Sequence, residues 1–280
     1  VSEEKEPKDE APEEPEDAGA WLGTELMYAR DHAGMTQSAL ADDCQVERTY
    51  VSRVESGTRF PSERYVEACD RIFGTSGVYT RLRRRLLDMG HPGWFRKYVA
   101  LEREVVEIHG YANSFMMGLL QTPEYAYAVF RAAHPRETDA RIKTRVAARM
   151  RRHEVLERTD PPLLWFIIHE GALRTVVGSS EVMVGQLERL AQMAESPNVV
   201  VQVLPFSAGA PAAGSPFMLL TQGNQEGRIL YSDTIGHGYM NDSPAVVSSW
   251  GSTFDRLRMA AESETRSLGL IHSIMKEHAR

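Results

Sequence analysis

Apolar residues recur at helical spacing from Trp21 as far as Met89. Trp21 to Ala33 carries Leu22, Leu26, Ala29 and Ala33 on one stripe and predicts a helix. Residues 36–59, TQSALADDCQVERTYVSRVESGTR, read as two short helices joined by a tight turn. Thr36 is placed to cap the first, whose apolar positions are Ala39, Leu40 and Cys44. Gln45 sits in the turn, Val46 points inward, and a second helix from about Glu47 to Glu55 buries Val51 and Val54. Gly57 supplies the stop. The outward side of that helix is polar, with Arg48, Thr49, Ser52 and Arg53. Ser62 caps a fourth helix holding Tyr65, Val66, Cys69 and Ile72–Phe73, which Gly74 ends; Val78 to Met89 is a fifth, whose Arg81, Arg83, Arg84 and Arg85 cover different faces and read as solvated. Residues 19–89 therefore predict an all-α domain of five helices.

The pattern changes after Gly90-His91-Pro92-Gly93, which predicts a linker over 90–93 and a second domain over 94–280. Tyr98, Leu101, Val105 and Ile108 keep helical spacing and predict one helix running through His109. Thr122-Pro123 is a strong helix start, and Glu137 to Arg158 predicts a long helix with Ile142, Val146, Met150 and Val155 inward. Leu163–Ile168, Val199–Leu204, Phe217–Thr221 and Arg228–Tyr231 read as strands. Glu170–Val176, Ser180–Ala194, Ser243–Met259 and Thr265–Glu277 read as helices. Together they predict an α+β domain with a small mixed sheet.

The formal net charge of −7 argues against a nucleic-acid partner until its distribution is considered. Residues 1–18 hold nine acids and two bases, which accounts for all of it. That acidic tail has little to bury and is expected to be disordered, as a solubiliser or as an internal competitor for a basic face. Residues 19–87 hold ten Arg and nine acids, and 131–158 hold nine Arg or Lys and four acids, read as a solvated face or a contact for DNA or a partner. Cys44 and Cys69 both fall on apolar helical positions, as buried free thiols do. The acidic start has no signal-peptide character, and the longest apolar run, Leu163–Ile168, is too short to span a bilayer. A cytoplasmic protein with no membrane contact is expected.

Catalytic chemistry is sparse. The nine His make no paired ligand spacing, and there is no CxxC, phosphate-binding loop or dinucleotide fingerprint, so neither a metal nor a cofactor is expected. His169-Glu170 at a strand end is the best enzymatic candidate, against a plainer reading as a helix start whose Glu complements the dipole. Trp165, Phe166, Phe206, Phe217 and Tyr231 read as core, or as the lining of a pocket.

A helix, a turn and a second helix with a polar outer face make a helix-turn-helix. Through Gln37, Leu40-Ala41, Val46, Val51, Ser52-Arg53, Glu55, Gly57 and Pro61 the segment resembles the lambda-repressor-like, or Xre, family of regulators. The resemblance implies that Gln37 contacts a phosphate and that Arg48, Thr49 and Arg53 reach bases. Ser52 shares that face, and Glu47, Tyr50, Thr58 and Arg59 flank it as further phosphate-contact candidates. It also implies a structural pair between Arg30 and Glu55. Gln45 replaces the family's usual turn Gly, and Glu47 its usual Ser or Thr cap. Further on, GLLQTPEYA (118–126), HEGALR (169–174) and VGSSEVMVGQLERL followed by NVVVQVLPFSAG resemble an actinobacterial domain of unknown function fused behind such motifs in antitoxin-like regulators.

These features predict a regulator that binds double-stranded DNA at a palindromic operator as a homodimer, controlled through its C-terminal domain by a small molecule or a small partner protein. The competing reading is an enzyme or an antitoxin-type interaction module tethered to DNA. Val246, Val247, Trp250, Phe254, Leu257, Leu268, Leu270 and Ile274 exceed what one face of the closing helices buries, which points the dimer contact to them.

Overall fold

In the computed structural model the chain divides into two compact units, residues 1–89 and 90–280. The structure describes residues 18–88, 95–223, 227–234 and 237–280. Apart from Ala18, the acidic tail expected over 1–18 lies outside them, as does the linker expected over 90–93. Among the described residues no helix is long and apolar enough to cross a membrane.

The first unit is five helices, α1 (Ala18–His32), α2 (Gln37–Cys44), α3 (Arg48–Glu55), α4 (Glu63–Ile72) and α5 (Val78–Asp88). Local chemistry sets several of their ends. The hydroxyls of Thr36 and Ser62 accept the backbone N–H of Ala39 and Tyr65 at 3.1 and 3.3 Å. Gly57, just past α3, takes φ +74°, a conformation open to Gly at little cost. Leu22, Leu26, Leu40, Val51, Val54 and Val66 are fully buried around Tyr65 and Cys69. Cys44 and Cys69 are buried free thiols.

Three details differ from the sequence reading. Ala39 is exposed, because α2 buries only Leu40, Ala41 and Cys44. Ala33 lies beyond the end of α1 and is exposed. Arg83 is buried: its Nε donates to the Pro61 carbonyl at 2.6 Å and its guanidinium lies 5.6 Å from the Phe60 ring centre. Arg81, Arg84 and Arg85 are exposed.

The start of α5 is closed by a side chain from α4. Buried Asp70 accepts the backbone N–H of Tyr79 and Thr80 at 3.0 and 2.9 Å, the Thr80 hydroxyl at 2.7 Å and the Thr75 hydroxyl. The first-turn N–H groups of α5, which have no partner within their own helix, are thus satisfied by a carboxylate favoured by the helix dipole.

The second unit is built on a six-stranded mixed sheet in the order β3-β2-β1-β4-β5-β6. The strands are β1 (Val105–Ala112), β2 (Leu163–His169), β3 (Val199–Leu204), β4 (Phe217–Gln222), β5 (Arg228–Thr234) and β6 (His237–Asn241). β1, β2 and β3 pair in parallel, whereas β1–β4, β4–β5 and β5–β6 are antiparallel. The helices are α6 (Arg96–Glu102), α7 (Pro123–Ala133), α8 (Asp139–Arg151), α9 (Glu170–Arg174), α10 (Ser180–Met193), α11 (Pro244–Ala260) and α12 (Glu264–His278). Leu164, Phe166 and Ile168 of β2 enter a core with α6, α7, α10 and α12, while Ile167 turns to a second core with Phe254 and Leu257 of α11. Both sheet faces are therefore covered, which explains the unbroken apolar run in β2.

The helix expected through His109 ends at Glu102, and residues 105–112 form β1 in the middle of the sheet. Val105, Val106 and Ile108 are β-branched, Gly110 is a poor helix former, and strands on both sides take up the backbone groups. The edge strand β6 was also not expected. The long helix expected to Arg158 stops at Arg151 and continues as a 3-10 segment, Arg152–Glu157.

The basic stretch 131–158 is solvated only in part: Arg136, Arg141 and Lys143 are exposed, whereas two other arginines are drawn into the fold. Arg145 is bidentate to Glu137 at 2.8 and 2.7 Å, and buried Arg152 is bidentate to buried Glu102 at 2.7 Å on both arms. The apolar residues of the closing helices pack largely within the chain: Phe254, Leu257 and Ile274 are buried, and Val246, Val247, Trp250, Leu268 and Leu270 are half-buried against the two cores, while Met259 is exposed.

Burial raises the Asp70 carboxyl, but its hydrogen bonds with Thr75, Thr80 and Tyr79 outweigh that and hold it below its ordinary value. The unfolded chain then binds the extra proton, so the stability this group confers is full above about pH 4 and is lost as pH falls through the lower folded value. Replacing Asp70 by Ala should cost about 1–3 kcal/mol locally. Amide hydrogen exchange at Tyr79 and Thr80 would show it as roughly a tenfold or greater loss of protection. Asp70→Asn should lack the acid-dependent step that the parent chain shows.

Candidate nucleic-acid interface

The turn between α2 and α3 rests on one unusual residue. Gln45 lies in the left-handed region at φ 56°, ψ 46°, where a residue with a Cβ pays roughly 1–2 kcal/mol. Gln45 donates its own N–H to the Asp42 carbonyl at 3.1 Å, and two further hydrogen bonds hold the turn. Val46 donates its N–H to the Ala41 carbonyl at 2.9 Å, and Arg64 of α4 donates from Nη2 to the Gln45 Oε1 at 2.8 Å. Glu47 caps α3 by backbone conformation alone, and its carboxylate accepts the Thr49 hydroxyl at 3.1 Å.

α3 packs on Val51 and Val54, both fully buried, and leaves Arg48, Thr49, Ser52 and Arg53 exposed on its outer side. These are the four positions that the sequence assigns to base readout. They form a side with two forked cations and two short hydroxyls. Arg suits the paired acceptors of guanine, and Thr offers a hydroxyl or a methyl.

Beneath that side lies a buried charge network. Arg30 of α1 donates from Nε to Glu55 Oε1 at 2.6 Å and from Nη2 to Oε2 at 3.0 Å. Its remaining arm reaches Asp31 at 2.6 Å and the Met35 carbonyl at 2.8 Å. The two principal partners are 8% and 9% exposed, so the pair lies in the interior and not on the surface. Gln37, the first residue of α2, donates from Nε2 to Glu55 Oε2 at 2.8 Å. One carboxylate at the end of α3 thereby fixes α1 and α2 against it. α1 comes close enough that a Cβ on Gly23 would stand 2.1 Å from the Val54 carbonyl oxygen, so only Gly fits there.

The sequence reading identifies the Arg30–Glu55 pair but not the third member. In it Gln37 is a phosphate contact, and the structure gives it a second task. Its amide keeps one N–H and its carbonyl oxygen for an outside partner. The bond to Glu55 holds it in one orientation at the N-terminus of α2, a location suited to an anion.

The flanking candidates are tied into the loop after α3. The Tyr50 hydroxyl accepts the Ser62 N–H at 2.8 Å, its ring stands edge-on to Tyr65 at 5.2 Å, and Arg59 lies 4.7 Å over its other side. Accepting leaves the Tyr50 O–H free to donate. The Thr58 and Ser56 hydroxyls gather on the Arg53 carbonyl and on each other. Arg48, Arg53 and Arg59 are all exposed, with Glu47 as the acid beside them. A phosphate would be repelled by the Glu47 carboxylate and drawn to Arg59.

In the second unit, His169 and Glu170 are occupied. His169 Nδ1 accepts the Gly171 N–H at 3.1 Å as the cap of α9. Glu170 takes Arg174 at 2.7 Å on one oxygen and the Phe206 N–H at 2.8 Å on the other. Phe166, Phe217 and Tyr231 are core residues, Trp165 packs against the core around α11, and Phe206 is 55% exposed.

Two family models match the sequence. One is a helix-turn-helix domain over residues 21–82, and the other is a domain of unknown function, DUF5753, over residues 95–273. No curated protein and no solved structure matches. The first match coincides with the unit that presents α3 and suggests DNA binding.

Removing the Glu55 carboxylate strands a buried guanidinium, a loss of about 3–5 kcal/mol. Glu55→Ala should therefore lower the denaturation midpoint of the first unit. Glu55→Gln keeps one acceptor and should fall between the two. An unchanged midpoint for Glu55→Ala would show that the pair carries no stability.

Proposed function

We propose, for a chain that belongs to the DUF5753 family and carries a helix-turn-helix domain ahead of it, that it is a sequence-specific DNA-binding transcriptional regulator of the Xre type. The observation that carries this reading is the exposed side of α3, with Arg48, Thr49, Ser52 and Arg53, set on the buried Arg30–Glu55–Gln37 network. Readout of base edges needs side chains held in one register, and the network supplies that rigidity. In this reading Arg48, Thr49 and Arg53, with Ser52, meet bases in the major groove. Gln37, Tyr50, Thr58 and Arg59 meet the backbone, and Glu47 meets it through its main chain alone.

The second unit acts as the controlling module, bound by a small molecule or by a small partner protein as in antitoxin-like pairs. We favour control over catalysis there because, in the most enzyme-like dyad, both Glu170 oxygens and the His169 Nδ1 are bonded within the fold itself.

Selection of bound sequences from random DNA tests the readout. Arg48→Ala should lose about 1–3 kcal/mol of discrimination at one base position, whereas Arg59→Ala should weaken all sequences alike and reduce the salt slope by about one. Unchanged preference in Arg48→Ala would displace α3 from the groove.

One recognition helix covers few base pairs against the many competing sites of a genome, so we propose a homodimer on two half-sites about one helical turn apart. Because the apolar residues of α11 and α12 pack within the chain, this proposal rests on the operator geometry and not on those helices. Light scattering should return a dimer mass for the whole chain. A monomer both free and on DNA would remove the palindromic operator.

A further inference from the structure

The second unit contains a cavity of about 380 Å³, inside the range of roughly 300–1,000 Å³ typical of small-molecule sites. It lies where residues 112–118 leave the carboxyl end of β1, beside the start of β4 and the end of β5, and is closed by α7 and α8. The location is informative in itself. The chain runs β1, β2, β3 to one side and then returns to add β4 on the other side of β1. Crevices at the carboxyl end of the strand where the order reverses are where open sheets hold ligands.

The lining combines an apolar body with one cation that makes no ion pair among the described residues. Phe95, Met117, Val129, Phe130 and Phe217 supply much of the wall. Arg145, Arg149 and Arg152 also line it. Arg145 is neutralised by Glu137, and Arg152 by Glu102. Arg149 differs: it donates one arm to Gln121 Oε1 and lies 4.0 Å over the Phe130 ring, and among the described residues it makes no ion pair. Burial, and then the charge of Arg152, hold its guanidinium down to about 9. Asp233, exposed at the cavity and bonded by the Tyr231 hydroxyl, acts on Arg149 through space and partly offsets that lowering, without forming an ion pair with it. A ring-stacked guanidinium with an arm fixed on an amide oxygen is a fork with a set plane, the geometry a carboxylate accepts in two parallel bonds.

We propose that this cavity binds a small monocarboxylic acid with an apolar body, its carboxylate seated on Arg149 and its body against Phe95, Phe130 and Phe217. The inference rests on the reading of the second unit as a controlling module and names the class of effector. A single planar fork suits a single carboxylate, and Asp233, which already places one negative charge at the cavity, opposes a phosphate dianion or a polyanion.

The probe is 3-phenylpropanoate, titrated calorimetrically into the full chain without DNA. It should bind with a dissociation constant of about 1 mM or tighter, and its neutral isostere 3-phenylpropanamide at least about tenfold more weakly. Arg149→Met should lose about tenfold or more, Arg149→Lys less, and Ser114→Trp, which fills the cavity mouth, should also abolish binding. Circular dichroism would confirm that each variant is folded, and Ser114→Trp leaves Arg149 untouched should Arg149→Met fail to fold. Equal binding of acid and amide, equal binding by folded Arg149→Met, or no heat from 3-phenylpropanoate or octanoate at about 10 mM would each overturn the proposal. DNA affinity with and without the bound acid is a separate measurement. Binding that leaves it unchanged upholds the site and removes control of DNA binding.

Discussion

The first unit depends on a single buried carboxylate. Glu55 lies at the last turn of α3 and gathers Arg30 from α1 and Gln37 from α2. Such a pair is not a large net source of stability, since both charges are dehydrated to form it. Its value lies in the difference between the correct arrangement and every other. Any packing that slides α1 along α3 leaves a charge buried without its partner. The ion pair therefore selects one relative placement of three helices, and the outer side of α3 inherits that definition.

The second unit is organised by β1. It is the strand on which the parallel and antiparallel halves of the sheet meet, and both its faces are covered. The segment that leaves its carboxyl end forms part of the cavity wall, so this central strand also shapes the cavity. Glu102, the last residue of α6, and Arg152, just after α8, close their ion pair beside that cavity and tie the end of α8 to the end of α6. Arg149, one turn earlier on α8, is placed by the same attachment.

The two units were unequally legible in the sequence. Caps, stops and apolar spacing in 36–59 are local signals, and local signals set where short helices begin and end. The Arg30–Glu55 pair was accessible through family resemblance alone, because nothing in the spacing joins residues 25 positions apart. β1 was misread for a physical reason. A strand buried on both faces has no period of two, and Tyr98, Leu101, Val105 and Ile108 fall at helical intervals by coincidence of a short helix followed by a strand. β6, with His237 and Asn241 at its ends, has no apolar run to betray it. Arg152 looked like part of a solvated face because its partner Glu102 lies 50 residues away in sequence. Arg149 stood out only once such partners had been assigned. The surplus of apolar residues in the closing helices was real, and the two faces of the sheet share it, α12 packing on one core and α11 on the other.

The turn residue Gln45 also constrains how this chain can change over time. Its strained backbone and its bond to Arg64 are two halves of one arrangement. A lineage that reaches Gly at position 45 first relaxes the turn and releases Arg64, which then becomes free to drift. A lineage that loses Arg64 first keeps the strain and gives up the contact that offsets it. The order of the two substitutions therefore matters, and only one of the two routes avoids a weakened intermediate.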